Sequence, residues 1–289
     1  MSVATNETRE PAAAAVETPS GKGRGDENFP VGSFLIRKDL RVHVHAFYRF
    51  ARNADDIADN PALSADDKLR RLDRMAAVLD GAPGGDSPAA TAMRLCLAET
   101  GVSAQHCHDV LRAFRLDATK LRYRDWDELM EYCRYSASPV GRQLLDLHGE
   151  SRAAWPPSDA LCSALQVLNH LQDCADDYRN LDRVYLPLDL MDEAGIGVVD
   201  LTLPAASRGL RRVVDRLLDS TDRLIVDARE LPGRVAARGL RWESATIVAL
   251  ALRLSRRLRR GDPLARRVAL SKGDFAAALL DGILRGRRR

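Results

Sequence analysis

The chain has 289 residues and a formal net charge of +3, with 45% hydrophobic, 29% charged and only 5% aromatic residues. Such a chain can bury the core of one large domain, and a second domain is not required. No apolar run approaches the ~18 residues of a membrane span, and no basic start is followed by a hydrophobic stretch at the N-terminus. A spanning helix and a secretory signal are therefore excluded, and a cytoplasmic location is expected.

Ala, Leu, Arg and Asp dominate, while Val and Ile rarely alternate with polar residues, so the fold class predicted is all-α. From Met1 to about Asp26 the sequence has no period and reads as a disordered leader (1–26). Its Gly-x-Gly has neither a strand before it nor a helix after it, so it is no dinucleotide fingerprint. The segment ENFPVGSFLIRKDL, Glu27 to Leu40, carries Asn28 and Phe29 and is broken at Pro30 and Gly32.

Tyr48 to Asp59, YRFARNADDIAD, reads as a helix. With about 3.6 residues per turn, Tyr48, Arg52, Asp55 and Asp59 share one face, with Asp56 at its edge. Phe47, Phe50, Ala51, Ala54, Ile57 and Ala58 fill the other positions, so the helix belongs inside a bundle and its acids face a cavity. Leu63 to Asp80 is a second predicted helix with Ser64 as N-cap. Helices over Pro88 to Thr100 and Ser103 to Leu121 meet at a turn at Gly101, the latter carrying Asp117, Lys120 and Arg122. The triplet His106, Cys107, His108 cannot converge on one ion, since neighbouring helical residues diverge. Five cysteines without a CxxC pair read as reduced thiols.

A helix is predicted from Asp127 to Leu147, kinked or broken at Pro139. Its centre is built of small residues, Ser136, Ala137, Ser138 and Gly141, which suit either an ordinary proline kink or the passage of a long apolar chain. Trp155, Pro156 and Pro157 read as a linker. Gln166 to Asp177, QVLNHLQDCADD, then places Gln166, Asn169, Asp173 and Asp177 on one helical face. Arg179, Arg183 and Tyr185 stand just beyond. Apolar residues at helical spacing over Ser207 to Leu231 and Leu240 to Arg260 predict wall helices, and Arg285 to Arg289 form a basic tail. That end reads either as a peripheral contact with anionic lipid at the inner membrane or as a solvated tail.

Buried acids at i and i+4 repel one another unless a cation or a proton compensates them. Magnesium suits them, because it takes hard oxygen ligands and commonly bridges carboxylates to a phosphate. Two helices that each aim oxygens inward are how bundle proteins assemble such sites. Arg179, Arg183 and Tyr185 could then meet a departing diphosphate, and the Glu27 to Leu40 loop could close over it.

The first acid motif with Tyr48 and Arg52, the run EYCRYSASPVG, and QVLNHLQDCADD followed by RVYLP together resemble the squalene and phytoene synthases, head-to-head prenyl synthases of the all-α isoprenoid fold. The similarity covers about Glu27 to Ile283, consistent with a single domain over 27–284. It implies that Asp55, Asp56, Asp59, Asn169, Asp173 and Asp177 hold roughly two or three magnesium ions on a substrate diphosphate. Arg52, Lys120, Arg179 and Arg183 would be cations around it, Asp117 a polar cavity position, and Asn28, Phe29, Gly141 and Gln166 further substrate contacts. Tyr48 and Tyr132 would turn aromatic faces or hydroxyls toward a carbocation. ENFPVGS, SPVGR and DPLARRVALSK are similar to the bacterial hopanoid-cluster branch of that family. This implies ionisation and rearrangement of presqualene diphosphate, with water capture giving hydroxysqualene. A presqualene diphosphate synthase would supply the substrate and a flavoprotein would reduce the product. No NADPH is expected, because no dinucleotide site is recognisable. A sister prenyltransferase joining two prenyl diphosphates, a non-catalytic descendant and a nucleic-acid-binding helical protein are the alternatives.

Overall fold

The structure, a computed structural model, describes residues 16–17, 35–83 and 86–286. The described residues are helical throughout: α1 (Arg41–Ala58), α2 (Ala65–Leu79), α3 (Pro88–Thr100), α4 (Gln105–Asp117), α5 (Trp126–Ser136), α6 (Ser138–Leu147), α7 (Trp155–Leu181), α8 (Leu188–Glu193), α9 (Arg208–Ala228), α10 (Leu231–Arg234), α11 (Arg238–Arg260) and α12 (Lys272–Gly286). Among them the nearest thing to a sheet is one isolated parallel bridge between Arg122 and Val184. None of these helices is long and apolar enough to cross a membrane.

Two large apolar cores are found among the described residues, with a small third one, Ala249, Leu250 and Ala278, between α11 and α12. One joins α1 to α4 through Phe50, Ile57, Leu72, Met75, Met93 and Leu111. The other, larger, is built on α5 to α7, α9 and α11 around Tyr123, Leu168, Leu171, Val214, Leu217 and Leu254. α1 belongs to the first and α7 to the second, and both line one cavity, α1 through Val44 and Phe47 and α7 through Gln166 and Asn169.

Local chemistry explains the helix ends. Ser64 caps α2 by accepting from the Asp67 N–H at 3.1 Å, and Gly101 closes α3 in the left-handed region at φ 69°. The proline-containing segment is interrupted as expected: α5 ends at Ser136 and α6 begins at Ser138, with Pro139 in its first turn, where a missing N–H is no loss. The same rule corrects the reading of Trp155, Pro156 and Pro157, which are the first turn of α7 rather than a linker. Lys120 and Arg122 fall beyond the end of α4 at Asp117.

Part of the segment read as a disordered leader is also corrected. Val16 is buried in the first core, and its carbonyl accepts from Arg71 Nη1 at 3.1 Å. Glu17 Oε1 accepts from Ser87 Oγ and from the Ala89 N–H, each at 2.7 Å, so a carboxylate caps the start of α3. Asn28 and Phe29 lie outside the described residues. All five cysteines are free, and His106 and His108 turn to different aspartates, Asp146 and Asp80.

Candidate active site

The C-terminal half of α1 delivers Arg52, Asp55, Asp56 and Asp59. Arg52 reaches along its own helix to Asp55 Oδ2 and Asp56 Oδ1, both at 3.0 Å. α7 delivers Asp173 and Asp177 one turn apart. Its C-cap, Asp182, is a non-glycine residue in the left-handed region at φ 50°, and this reverses the chain. The residues that follow run beside Leu121 to Arg124, held by Val184 N–H to Leu121 O at 2.9 Å and Leu188 N–H to Tyr123 O at 3.0 Å. Arg183 and Tyr185 are thereby turned back into the bundle.

Arg183 is the hub. It is 5% exposed, with Nη1 at 3.0 Å from Asp59 Oδ1 and 3.2 Å from the Tyr185 hydroxyl, and Nη2 at 2.9 Å from the Asp117 carbonyl. Beneath it the Tyr132 and Tyr185 hydroxyls each donate to the buried Asp117 carboxylate at 2.8 Å. His170 stacks on Tyr185 with ring centroids 3.5 Å apart, and Tyr123 stacks on Tyr185 as well, at 5.4 Å.

Charge in the cleft is out of balance. Burial, then repulsion from Asp59, raises Asp55 well above the usual carboxylate range, with Arg52 opposing. Burial and Asp173 push Asp177 up to about 7, and Asp59 and Asp117 add to the rise. Asp117 is pushed up to about 6, chiefly by burial and against Arg183. Arg183, which follows the acid row of α7, reaches Asp59 on α1, so the two acid-bearing helices are tied at this end. For Arg183 burial works against the charge, but Tyr185, Asp117 and Asp59 outweigh it and raise the guanidinium further.

Below the acids lies an apolar cavity of about 290 Å³. Asn169 and Gln166 line its acid end, Phe47 and Val44 come from α1, and Ser136, Ala137, Gly141 and Leu144 from the α5–α6 junction. The small-residue stretch therefore opens on a cavity. Gly141 does more: a Cβ there would collide with Ser158 Oγ and lie 2.7 Å from Cys162 Sγ, so glycine is what lets α6 approach α7.

Of the other sequence-predicted residues, Tyr48 is half-buried on α1. Two cations are not brought into the cleft. Arg179 faces Asp176 at 3.5 Å on the exposed side of α7, and Lys120 is paired with Glu128, its Nζ 4.9 Å from the Tyr123 ring. Their places are taken by residues that sequence reading missed. Lys68 of α2 stands close enough to Arg183 that burial and this neighbour lower its pKa, with Asp59 and Asp117 opposing. Arg267, in the segment between α11 and α12, grips Asp173 with Nε at 3.0 Å and Nη2 at 3.1 Å. Neither stands at any regular spacing from an acid motif. His170 did carry a signal, lying one turn beyond Gln166 on the acid face of α7.

Among the described residues no three His, Cys, Asp or Glu side chains already form a cage around a common point. The donors nonetheless fit a hard dication shared with an anion: all are carboxylate or amide oxygens, and those of Asp55 and Asp177 are made protonation-prone first by burial and then by neighbouring carboxylates. An all-α bundle whose two acid-bearing helices share an apolar cavity is the architecture of proteins that build polar and ligand sites between facing helices.

Comparison with known proteins agrees. Residues 22–274 match the family Squalene/phytoene synthase. The chain is 49% identical over 265 residues to the hydroxysqualene synthase of Rhodopseudomonas palustris, covering 92% of this chain and 90% of that one. It is 45% identical over 257 residues to the hydroxysqualene synthase of Zymomonas mobilis, covering 88% and 86%. Among solved structures it resembles squalene synthase HpnC from Alicyclobacillus acidocaldarius, with a TM-score of 0.66 and 30% identity over 79% of this chain and 88% of that one. The chain belongs to the squalene/phytoene synthase family.

Proposed function

We propose that this protein is a magnesium-dependent carbon–oxygen lyase that ionises presqualene diphosphate, lets the cation rearrange, and releases hydroxysqualene and diphosphate, within squalene and hopanoid synthesis. The observation that carries the reading is the 3.0 Å contact of Arg183, just past the acid row of α7, with Asp59 of α1, between two helices that line one apolar cavity through Phe47 and Asn169. The high identity to two hydroxysqualene synthases supports the choice of substrate.

Asp55, Asp59, Asn169, Asp173 and Asp177 would hold the metal ions, which when bound neutralise the diphosphate and make it a good leaving group. The chain's own groups do the rest. Arg183, Arg52, Arg267 and Lys68 present positive charge where negative charge accumulates as the bond to oxygen breaks. Tyr132, locked by Asp117, would turn its ring or hydroxyl toward the cation, a ring face being worth ~1 kcal/mol or more in a desolvated site. Cavity walls of Phe47, Leu144, Leu161 and Leu165 keep bulk water from the hydrocarbon. Presqualene diphosphate would come from a prenyl-joining synthase and the alcohol would pass to a reductive flavoprotein.

The test is incubation of purified protein with Mg²⁺ and either presqualene diphosphate or farnesyl diphosphate, read by mass spectrometry. Hydroxysqualene from the former is expected; consumption of farnesyl diphosphate alone would transfer the protein to the sister prenyltransferases. Asp55→Asn and Asp173→Asn should each lower kcat by at least about a hundredfold with unchanged helical content. Near wild-type rates in both would remove the acids from the reaction.

A further inference from the structure

Gln143 lies on α6 in the wall of the cavity, 3% exposed. Neither its Oε1 nor its Nε2 has a hydrogen-bond partner among the described residues. Such an amide is unfavourable in an apolar wall, and buried polar groups in folded proteins are almost always satisfied. Leu144, Leu145 and Leu161 line the same space and offer it no polar atom beyond the backbone. Its presence is explained if the cavity receives something small and polar. Other oxygens face the same cavity. Ser136 Oγ is buried without a partner, and Glu243 of α11 contributes a carboxylate that is 3% exposed. A water held in a protein interior typically makes about three hydrogen bonds. Gln143, Ser136 and Glu243 supply donors and acceptors of that kind to the wall of one cavity.

We infer that Gln143 positions the water molecule that captures the substrate carbocation, and so decides between an alcohol and a hydrocarbon product. The inference rests on the reaction proposed above. In this step a lone pair of the water oxygen forms the new bond to the cationic carbon while Gln143 Oε1 accepts a hydrogen bond from the water. One O–H bond then breaks and its proton passes to the Glu243 carboxylate. The diphosphate has already departed with the electron pair of its own C–O bond, so nothing is oxidised or reduced. Without a positioned water the cation's outlet is loss of a proton from a neighbouring carbon, which leaves an additional double bond and no oxygen.

The test uses the full chain with Mg²⁺ and presqualene diphosphate in isotopically labelled water. Gln143→Leu and Gln143→Met keep the volume and remove the amide. Both should still release diphosphate at a rate within about threefold of wild type, while the share of labelled alcohol falls at least tenfold in favour of hydrocarbon. Gln143→Asn, which keeps an amide on a shorter arm, should recover part of the alcohol. A wild-type product ratio in whichever of the two apolar variants folds would overturn the inference. A melting temperature several degrees lower with an unchanged product ratio would do the same, since it would make the amide a packing group. Absence of alcohol from the wild-type protein would instead overturn the proposed reaction, and this inference with it.

Discussion

At the residue scale the most constrained group is His170. Stacked on Tyr185 and facing Arg183, it is pushed down to about 3 by burial and by that guanidinium. Its pKa in the unfolded chain is the ordinary 6.5, so between these values the unfolded chain binds a proton that the native protein refuses. Stability from this residue is therefore full above about pH 6.5 and is lost as pH falls, by up to about 1.4 kcal/mol per pH unit. Asp117, raised to about 6, works in the opposite sense over an overlapping range, because its native form takes up a proton first. Comparing urea midpoints of wild type and His170→Gln at several pH values isolates the histidine. The variant should lose less stability between pH 6.5 and 4, and parallel curves would show that His170 does not stay neutral. Of these residues the sequence made Asp117, Tyr132 and Arg183 visible. It could not show that one carboxylate satisfies two tyrosines, because that depends on how the segment after α7 is turned.

At the element scale two backbone positions decide where the site groups stand. Gly141 sets the separation of α6 from α7, and any side chain there must displace Ser158 and Cys162. Gly141→Ala should destabilise by about 1–3 kcal/mol and shrink the cavity, and Ser158→Ala in the same chain should restore part of it. Additive effects in the double-mutant cycle would mean the two residues do not meet. Asp182, at φ 50°, turns the chain so that Arg183 re-enters the bundle. Asp182→Gly should be close to neutral, whereas a β-branched Asp182→Val should lose about 1–2 kcal/mol and reduce turnover, as measured by chemical denaturation and initial rates. Equal stability of the two variants would contradict a strained turn. Helix existence followed from apolar spacing for α1 to α7, α9 and α11, whereas α8, α10 and α12 were not anticipated. The Trp155 to Pro157 segment misled because adjacent prolines look like a linker by composition, although the first turn of a helix accepts them.

At the scale of the whole molecule, the acid rows belong to different cores: α1 to the one shared with α2, α3 and α4, α7 to the larger one. A ligand that binds both rows couples the stability of the two. Mg²⁺ with inorganic diphosphate should raise the melting temperature of the wild-type protein, the stabilisation reaching about 2.7 kcal/mol at a hundredfold excess over Kd. Asp173→Asn should abolish most of that rise, and a shift that survives would place the ligand elsewhere. Which long-range cations complete the cleft could not be read beforehand. Lys68 comes from α2 and Arg267 from beyond α11; Arg267 meets Asp173, and Lys68 comes within the field of Arg183 and Asp59, only because packing brings together segments far apart in sequence.

The grip of Arg52, Arg183 and Arg267 on Asp55, Asp59 and Asp173 has a wider meaning. The cleft carries resident counter-ions, so the bundle can fold and keep its shape before any metal arrives, unlike small domains that exist only when loaded. Were a dication to load, Asp55, Asp59 and Asp173 would have to exchange a guanidinium for it, and Arg52, Arg183 and Arg267 would be left to face an anion. Dication and anion would then enter as partners, each making room for the other.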